Sequence, residues 1–473
     1  MSSASSALRL DKDFLWGFAT ASYQIEGAVD EDGRGDSIWD TFCRTPGRIA
    51  DSSSGQVACD SYHRYKEDVA LLKQLGAKAY RFSISWSRVR PLGGRNDPNN
   101  EKGLQYYEDL VDELLANGVT PMVTLFHWDL PQALYDRYGG FLHKDEYVLD
   151  YVSYCRLMFE RLGPKVKHWI TYNEPWCSSI LGYADGYFAP GHKSSTEPWL
   201  VGHNILISHA TAVKVYREEF KQQQHGVIGI TLNGDWVEPW NAADPQDVQA
   251  CERKLEFTIG WFADPIYTGD YPASMRRQLG ERLPEFSAGE RALMHGSNDF
   301  YGMNHYTADF VKHSKDTPVE ENSNGNLEIL KTNHAGETIG PETQSVWLRP
   351  YPVGFRKLMK WISDRYGRPM IYVTENGTSL KGENDLPVEQ LLEDDFRAEY
   401  FRNYIMELAK ASYLDDVDVR GYMAWSLLDN FEWAEGYETR FGVTYVDYAG
   451  SQKRFPKKSA RVIGEVFSAL CQR

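Results

Sequence analysis

Residues 79–126 read as a strand, a helix and a second strand: Ala79-Tyr80-Arg81-Phe82-Ser83-Ile84-Ser85, then Tyr106–Ala116, then Pro121-Met122-Val123-Thr124-Leu125-Phe126. The two short runs are rich in β-branched and aromatic residues. In Tyr106-Tyr107-Glu108-Asp109-Leu110-Val111-Asp112-Glu113-Leu114-Leu115-Ala116 the apolar positions instead recur at the helical period. Asn117-Gly118 punctuates the return to the second strand. A strand, a crossover helix and another strand form the repeating unit of a parallel sheet.

The same alternation continues on both sides. Further strands are expected at Trp16–Ala19, His168–Thr171, Val227–Leu232, Asp299–Asn304, Met370–Thr374 and Val419–Trp425. Amphipathic helices are expected at Tyr65–Leu75, Val148–Leu162, Val201–Phe220, Val353–Tyr366 and Arg397–Ala411. Eight strand units in 473 residues predict an α/β fold, a closed (β/α)8 TIM barrel spanning residues 1–473 as one domain. Helix-to-strand turns are short and carry Gly or Pro, as at Leu75-Gly76, Gly163-Pro164 and His225-Gly226. Strand-to-helix segments are long and polar, notably Asp36–Ser61, Ser314–Ser345 and Asn376–Asp395. In a barrel these long loops crowd the face at the C-terminal strand ends, so functional residues are expected there.

Composition narrows the function. The formal net charge of −16 argues against a nucleic-acid binder and against docking on anionic membranes. No apolar run approaches the ~18 residues of a membrane span. The Ser/Ala-rich start has no apolar core of the signal-peptide kind. Six scattered cysteines (Cys43, Cys59, Cys155, Cys177, Cys251 and Cys471) lack metal-like spacing and read as free thiols, so a cytoplasmic protein is expected. There is no Walker loop, no His-Glu-x-x-His and no Gly-x-Ser-x-Gly elbow. Gly33-Arg34-Gly35 lacks the context of a dinucleotide site, so no cofactor or metal is expected.

Two strand ends stand out. His168-Trp169-Ile170-Thr171 runs into Tyr172-Asn173-Glu174-Pro175, and Ile371-Tyr372-Val373-Thr374 runs into Glu375-Asn376-Gly377. A lone Glu at a strand end is usually a solvated or ion-paired loop residue. Two of them, each beside an Asn and brought to one barrel mouth, match what glycoside hydrolysis requires: one carboxyl to protonate the leaving oxygen and one to attack or to activate water.

These two stretches carry a resemblance. Thr171–Pro175 and Thr374–Gly377 match the T-x-N-E-P and T-E-N-G signatures of glycoside hydrolase family 1. The chain resembles its β-glucosidases, and closely the intracellular fungal members, from Phe14-Leu15-Trp16-Gly17 to Pro456-Lys457-Lys458-Ser459. The resemblance implies a retaining mechanism on small-molecule β-glucosides, with Glu174 as acid/base and Glu375 as nucleophile. Arg81 and Tyr306 would support the nucleophile. Gln24, His127, Trp128, Asn173, Asn304, Tyr306, Trp347, Trp425, Glu432, Trp433 and Phe441 would form the substrate-binding set, with Trp176 and Leu181 near the entrance. Taken singly, each Trp is more often core, His127 more often a satisfied structural histidine, and Arg81 could be a core ion pair.

The chain departs from the family pattern at Tyr172 and His305, where Phe or Leu, and Tyr or Phe, are commoner. Three other readings compete with this one. A non-catalytic sugar-binding barrel would have lost a carboxylate. A thioglucosidase would carry Gln at position 174. A 6-phospho-β-glycosidase would carry Ser in the segment around position 432, with Lys and Tyr nearby to hold the phosphate, a reading that stays open if Glu432 merely pairs with Arg440.

Overall fold

A computed structural model describes residues 8–471. Eight parallel strands close into a barrel in which every strand pairs with its neighbours in sequence: β1 (Leu15–Ala19), β2 (Ala79–Ser83), β3 (Thr120–Phe126), β4 (His168–Asn173), β5 (Val227–Asn233), β6 (Tyr301–Asn304), β7 (Ile371–Asn376) and β8 (Val419–Trp425). The principal crossover helices are α1 (Ser61–Gln74), α2 (Glu101–Ala116), α3 (Lys144–Leu162), α4 (Glu197–Val215), α5 (Pro245–Leu255), α6 (Pro352–Arg365), α7 (Asp395–Leu414) and α8 (Lys458–Leu470).

Local sequence explains the periodic elements. Leu104, Tyr107, Leu110, Val111 and Leu114 bury one face of α2. The helix stops because Gly118 takes a left-handed φ of 73°. There Val119 N–H bonds the Leu114 carbonyl at 2.9 Å, and Gly118 N–H bonds Leu115 at 3.0 Å. This reversal satisfies carbonyls that would otherwise lack partners at the helix end. The same pair of bonds, around Gly76, ends α1. At the chain's end, the Phe467 ring of α8 stacks on Phe14 and Trp16, packing the last helix against the outside of β1.

Several expectations shift. The second strand ends at Ser83, because Ser85 already leads into the helical turn Trp86–Val89. The sixth begins at Tyr301, since the Asp299 side chain is held by Arg217 and Lys221 and caps Ile228 N–H. The expected helix Val201–Phe220 is α4 followed by a π-helical turn at Tyr216–Phe220. Sequence periodicity missed the helical stretch 245–268, where α5 runs through a π turn at Glu256–Gly260 into Trp261–Thr268. Its period is broken by that turn, and Pro265 stands inside the helix Trp261–Thr268 that follows. Also missed was a three-stranded sheet of Trp236–Pro239, Ala308–His313 and Leu327–Leu330 beside the barrel mouth.

Candidate active site

Both strands that end in a carboxylate break their alternation just before it. On β4, His168 faces the barrel floor, where its ring meets Tyr372 of the non-adjacent β7 at 5.7 Å. Trp169 faces outward against Phe159, and Thr171 outward to His209. Strict alternation would point Tyr172 in and Asn173 out. Instead β4 carries one residue more than β5 between Ile170 and Asn173. Tyr172 therefore stays outward, bonded to Tyr147 and Ser208, and Asn173 turns in. Glu174 follows with a left-handed φ of 47°, and Pro175 opens the next helical turn, where no N–H is needed. On β7 the extra residue lies between Val373 and Glu375 relative to β6. Thr374 and Glu375 both face inward, while Asn376 is anchored outward to Tyr400, Tyr422 and the His305 carbonyl. Bulges that re-aim side chains in this way recur beside functional sites. The sequon Asn376-Gly377-Thr378 is thus a buried strand anchor.

The two carboxylates stand at the wall of one cavity of about 370 Å³. Glu375 is held on both oxygens: Arg81 Nη1 donates to Oε1 at 2.5 Å and Tyr306 Oη to Oε2 at 2.5 Å. Glu174 is held by uncharged donors, with Asn304 Nδ2 at 2.7 Å from Oε1 and Cys177 Sγ at 3.1 Å from Oε2. The sites are cross-linked, because Arg81 Nη2 and Asn304 Nδ2 both donate to Asn173 Oδ1, at 2.6 and 3.0 Å. Thr124 and the Thr374 carbonyl hold the rest of the guanidinium.

The charges follow from this arrangement. Burial, and then the negative charge of Glu375, pushes Glu174 up to about 8. Burial also raises Glu375, but Arg81 and the Tyr306 hydroxyl oppose it, so the shared proton resides on Glu174. Burial and the nearby carboxylates hold Tyr306 well above the ordinary phenol range, so it remains a donor. Burial, then the Arg81 charge, keeps His127 neutral, consistent with Nε2 accepting from Asn173 Nδ2 at 3.0 Å.

Not every expected binding residue lines the cavity. His127, Trp128, Asn304, Tyr306, Trp347, Trp425, Glu432, Trp433 and Phe441 do, with Trp176 and Leu181; Gln24, Asn173 and Arg81 stand one layer behind. Trp128 commits its indole N–H to the Asn173 carbonyl at 2.9 Å and so offers the cavity only its ring. The rings of Trp425 and Trp433 flank His127 in near-parallel planes. Gln24 Nε2 bonds Asn430, the Phe431 carbonyl and, at 3.4 Å, Glu432. Its Oε1 has no hydrogen-bond partner among the described residues. His305 is turned away, bonded to the Gly234 carbonyl and packed on Phe355.

Glu432 does not pair with Arg440, contrary to the alternative left open by the sequence. Arg440 pairs with Asp429 at 2.7 Å inside a buried network. Lys457 bridges Asp429 and Glu383, and Arg397 holds Glu383 and Asp394. This network fastens the loops after β7 and β8 to the start of α8 and leaves Glu432 facing the cavity. Burial, then Glu435, Glu375 and Glu174, pushes Glu432 well up. Among the described residues, no Lys or Arg lines the cavity.

Sequence reasoning missed Cys177, Asn233, Asp235, Tyr187, Phe188 and Glu435, which also line it. Asn233 ends β5 and Asp235 lies just beyond, so the strand-end rule already pointed at them; Tyr187 and Phe188 had no such signal. Among the described residues, no group of three or more His, Cys, Asp and Glu side chains is disposed to hold a metal ion. No helix among them is long and apolar enough to cross a membrane.

The family model described as Glycosyl hydrolase family 1 matches residues 6–470. Beta-glucosidase 1B of Phanerodontia chrysosporium is 55% identical over 99% of this chain and 87% of its own length. A GH1 β-glucosidase from Humicola insolens, solved with glucose, superposes with a TM-score of 0.97 at 65% identity over 98% of this chain and 99% of that one. β-Glucosidase 2 from Trichoderma reesei, solved with Tris, gives 0.97 at 62% over 98% and 100%. A closed parallel barrel, two bulged strands that each deliver a carboxylate to one cavity, and a family match across nearly the whole length lead to one assignment: the chain belongs to glycosyl hydrolase family 1.

Proposed function

We propose that the chain is a retaining β-glucosidase that removes terminal non-reducing β-D-glucosyl residues from cellobiose, short cello-oligosaccharides and aryl or alkyl β-glucosides. The observation that carries this reading is the unequal holding of the two carboxylates. Glu375, against a guanidinium and a phenol, is the anion and attacks the anomeric carbon. Glu174, among neutral donors, keeps the proton and gives it to the departing glycosidic oxygen. Once Glu375 is esterified its charge is gone, and the Coulombic support for a protonated Glu174 goes with it. Glu174 then takes a proton from water as that water cleaves the glycosyl ester, restoring both groups.

In this reading the glucosyl ring lies among Trp425, Trp433 and His127, with its rim hydroxyls toward Glu432, Asn304 and, behind the wall, Gln24 and Asn173. Trp347, Trp176 and Leu181 face the leaving group. The glucose held by the Humicola insolens neighbour supports the sugar assignment. The phosphoglycosidase alternative is disfavoured by an acidic cavity wall without a cation, and the thioglucosidase alternative by the carboxyl at position 174. We take residues 1–473 to act as one domain. Six free thiols fit a reducing, cytoplasmic setting, and a role in using cellulose-derived disaccharides follows only from the proposed activity on cellobiose. Proton NMR of the first-formed sugar tests the mechanism: β-glucose is expected to appear first, and initial α-glucose refutes retention.

A further inference from the structure

Cys177 lies one helical turn beyond Glu174. Its N–H bonds the Glu174 carbonyl at 3.0 Å, and its Sγ stands 3.1 Å from Oε2, the oxygen that Asn304 leaves free. The residue is buried and lines the cavity. We propose that Cys177 is a positioning residue for the acid/base: its S–H anchors Oε2 of Glu174, weakly enough that the carboxyl still holds its proton for the first step.

The inference rests on the assignment of Glu174 as the acid/base. Burial, with the charges of Glu174, Asp235 and Glu375, holds the thiol well above its ordinary value, so it stays an S–H donor. A thiol is a weak donor. A hydroxyl at this place would bind the anion more tightly and pull the proton off Glu174. A methyl would leave Oε2 without a protein partner and make the anion harder to form in the base step. The other groups around Glu174 are Arg81 from β2, His127 after β3, Asp235 after β5 with Lys254 beyond it, Asn304 and Tyr306 at the end of β6, Glu375 on β7, and Glu432 after β8. None of them changes when only Cys177 is replaced.

The test compares kcat/KM against pH for Cys177→Ala, Cys177→Ser and the parent, with a nitrophenyl β-glucoside. The alkaline limb reports loss of the Glu174 proton. Cys177→Ala is expected to move it up by about half a unit to one unit, a fraction of a charged hydrogen bond. Cys177→Ser is expected to move it down. Opposite shifts are a readout that a packing role would not produce. An unmoved limb in either variant, or shifts of the same sign, overturns the proposal. Should the alanine variant not fold, the downward shift of the serine variant decides alone. Glu174→Ala separates the two readings. If it keeps the alkaline limb, the acid/base assignment has failed and the proposal with it. If the limb vanishes while Cys177→Ala and Cys177→Ser leave theirs in place, only the cysteine's role is refuted.

Discussion

Removing the Tyr306 hydroxyl probes how Glu375 is kept ionised. Tyr306 Oη lies 2.5 Å from Glu375 Oε2, within the short range of O–H···O⁻ bonds. Tyr306→Phe deletes that donor while keeping the ring, whose edge contacts to Trp347 at 5.8 Å and Phe441 at 6.0 Å need no hydroxyl. A hydrogen bond to a charged group contributes about 1.5–3 kcal/mol. At about 1.4 kcal/mol per unit, its loss raises the Glu375 pKa by roughly one to two units. Arg81 remains, so the carboxylate is still formed, only at higher pH. In the proposed mechanism activity requires Glu375 ionised. Raising its pKa shrinks the ionised fraction at any pH on the acid side, and the acid limb of kcat/KM moves upward. The alkaline limb, which the proposed mechanism assigns to Glu174, moves far less, because the charge of Glu375 is present on both sides of it. The assay is kcat/KM across pH for a nitrophenyl β-glucoside, with thermal unfolding to check the fold. An acid limb that stays in place or moves down would show that the phenol does not stabilise the anion.

The other predictions concern roles, specificity and stability. Glu375→Gln should abolish turnover of every β-glucoside, whereas Glu174→Ala should hurt poor leaving groups most and recover with azide on activated aryl glucosides; equal, unrescued losses overturn the division of labour. A 6-phosphate on the sugar should lower kcat/KM relative to the free 6-hydroxyl by on the order of a thousandfold where Glu432 is ionised, since a like-charge pair at ~4 Å and an effective dielectric of about 20 costs roughly 4 kcal/mol. The loss should be smaller at lower pH, because burial and the neighbouring carboxylates push Glu432 well up. Glu432 faces the cavity and, among the described residues, no Lys or Arg lines it, so a preference for the phosphate refutes this. Asp429→Asn leaves Lys457 and Arg440 without a partner they share inside the protein. It should cost about 3–5 kcal/mol, read as a lower denaturation midpoint. A loss under about 1 kcal/mol would mean the network contributes little to holding the loops after β7 and β8.

Much was legible in the residues alone. The repeating alternation of β-branched runs and helical periods, punctuated by Gly and Pro, dictates a parallel barrel, because such elements have few ways to bury their apolar faces. Thr171–Pro175 and Thr374–Gly377 name the two carboxylates, and the strand-end rule names the face on which they lie. The stretch 245–268 was not legible, since its π turn and internal proline break the period that reveals a helix. Tertiary structure decided which way each site residue points. Counted by strict alternation, Asn173 and Glu375 would face the helices, and one extra residue in each strand turns them inward. It also decided the partners: Arg440 went to Asp429, the Trp128 indole N–H to a backbone carbonyl, and Cys177 to Glu174. A sequence records which donors and charges exist. Their pairing depends on the course of the backbone: a helical turn brings Cys177 to Glu174, the loop after β8 brings Arg440 to Asp429, and only the closed barrel brings Arg81 to Glu375 from a strand far off in sequence.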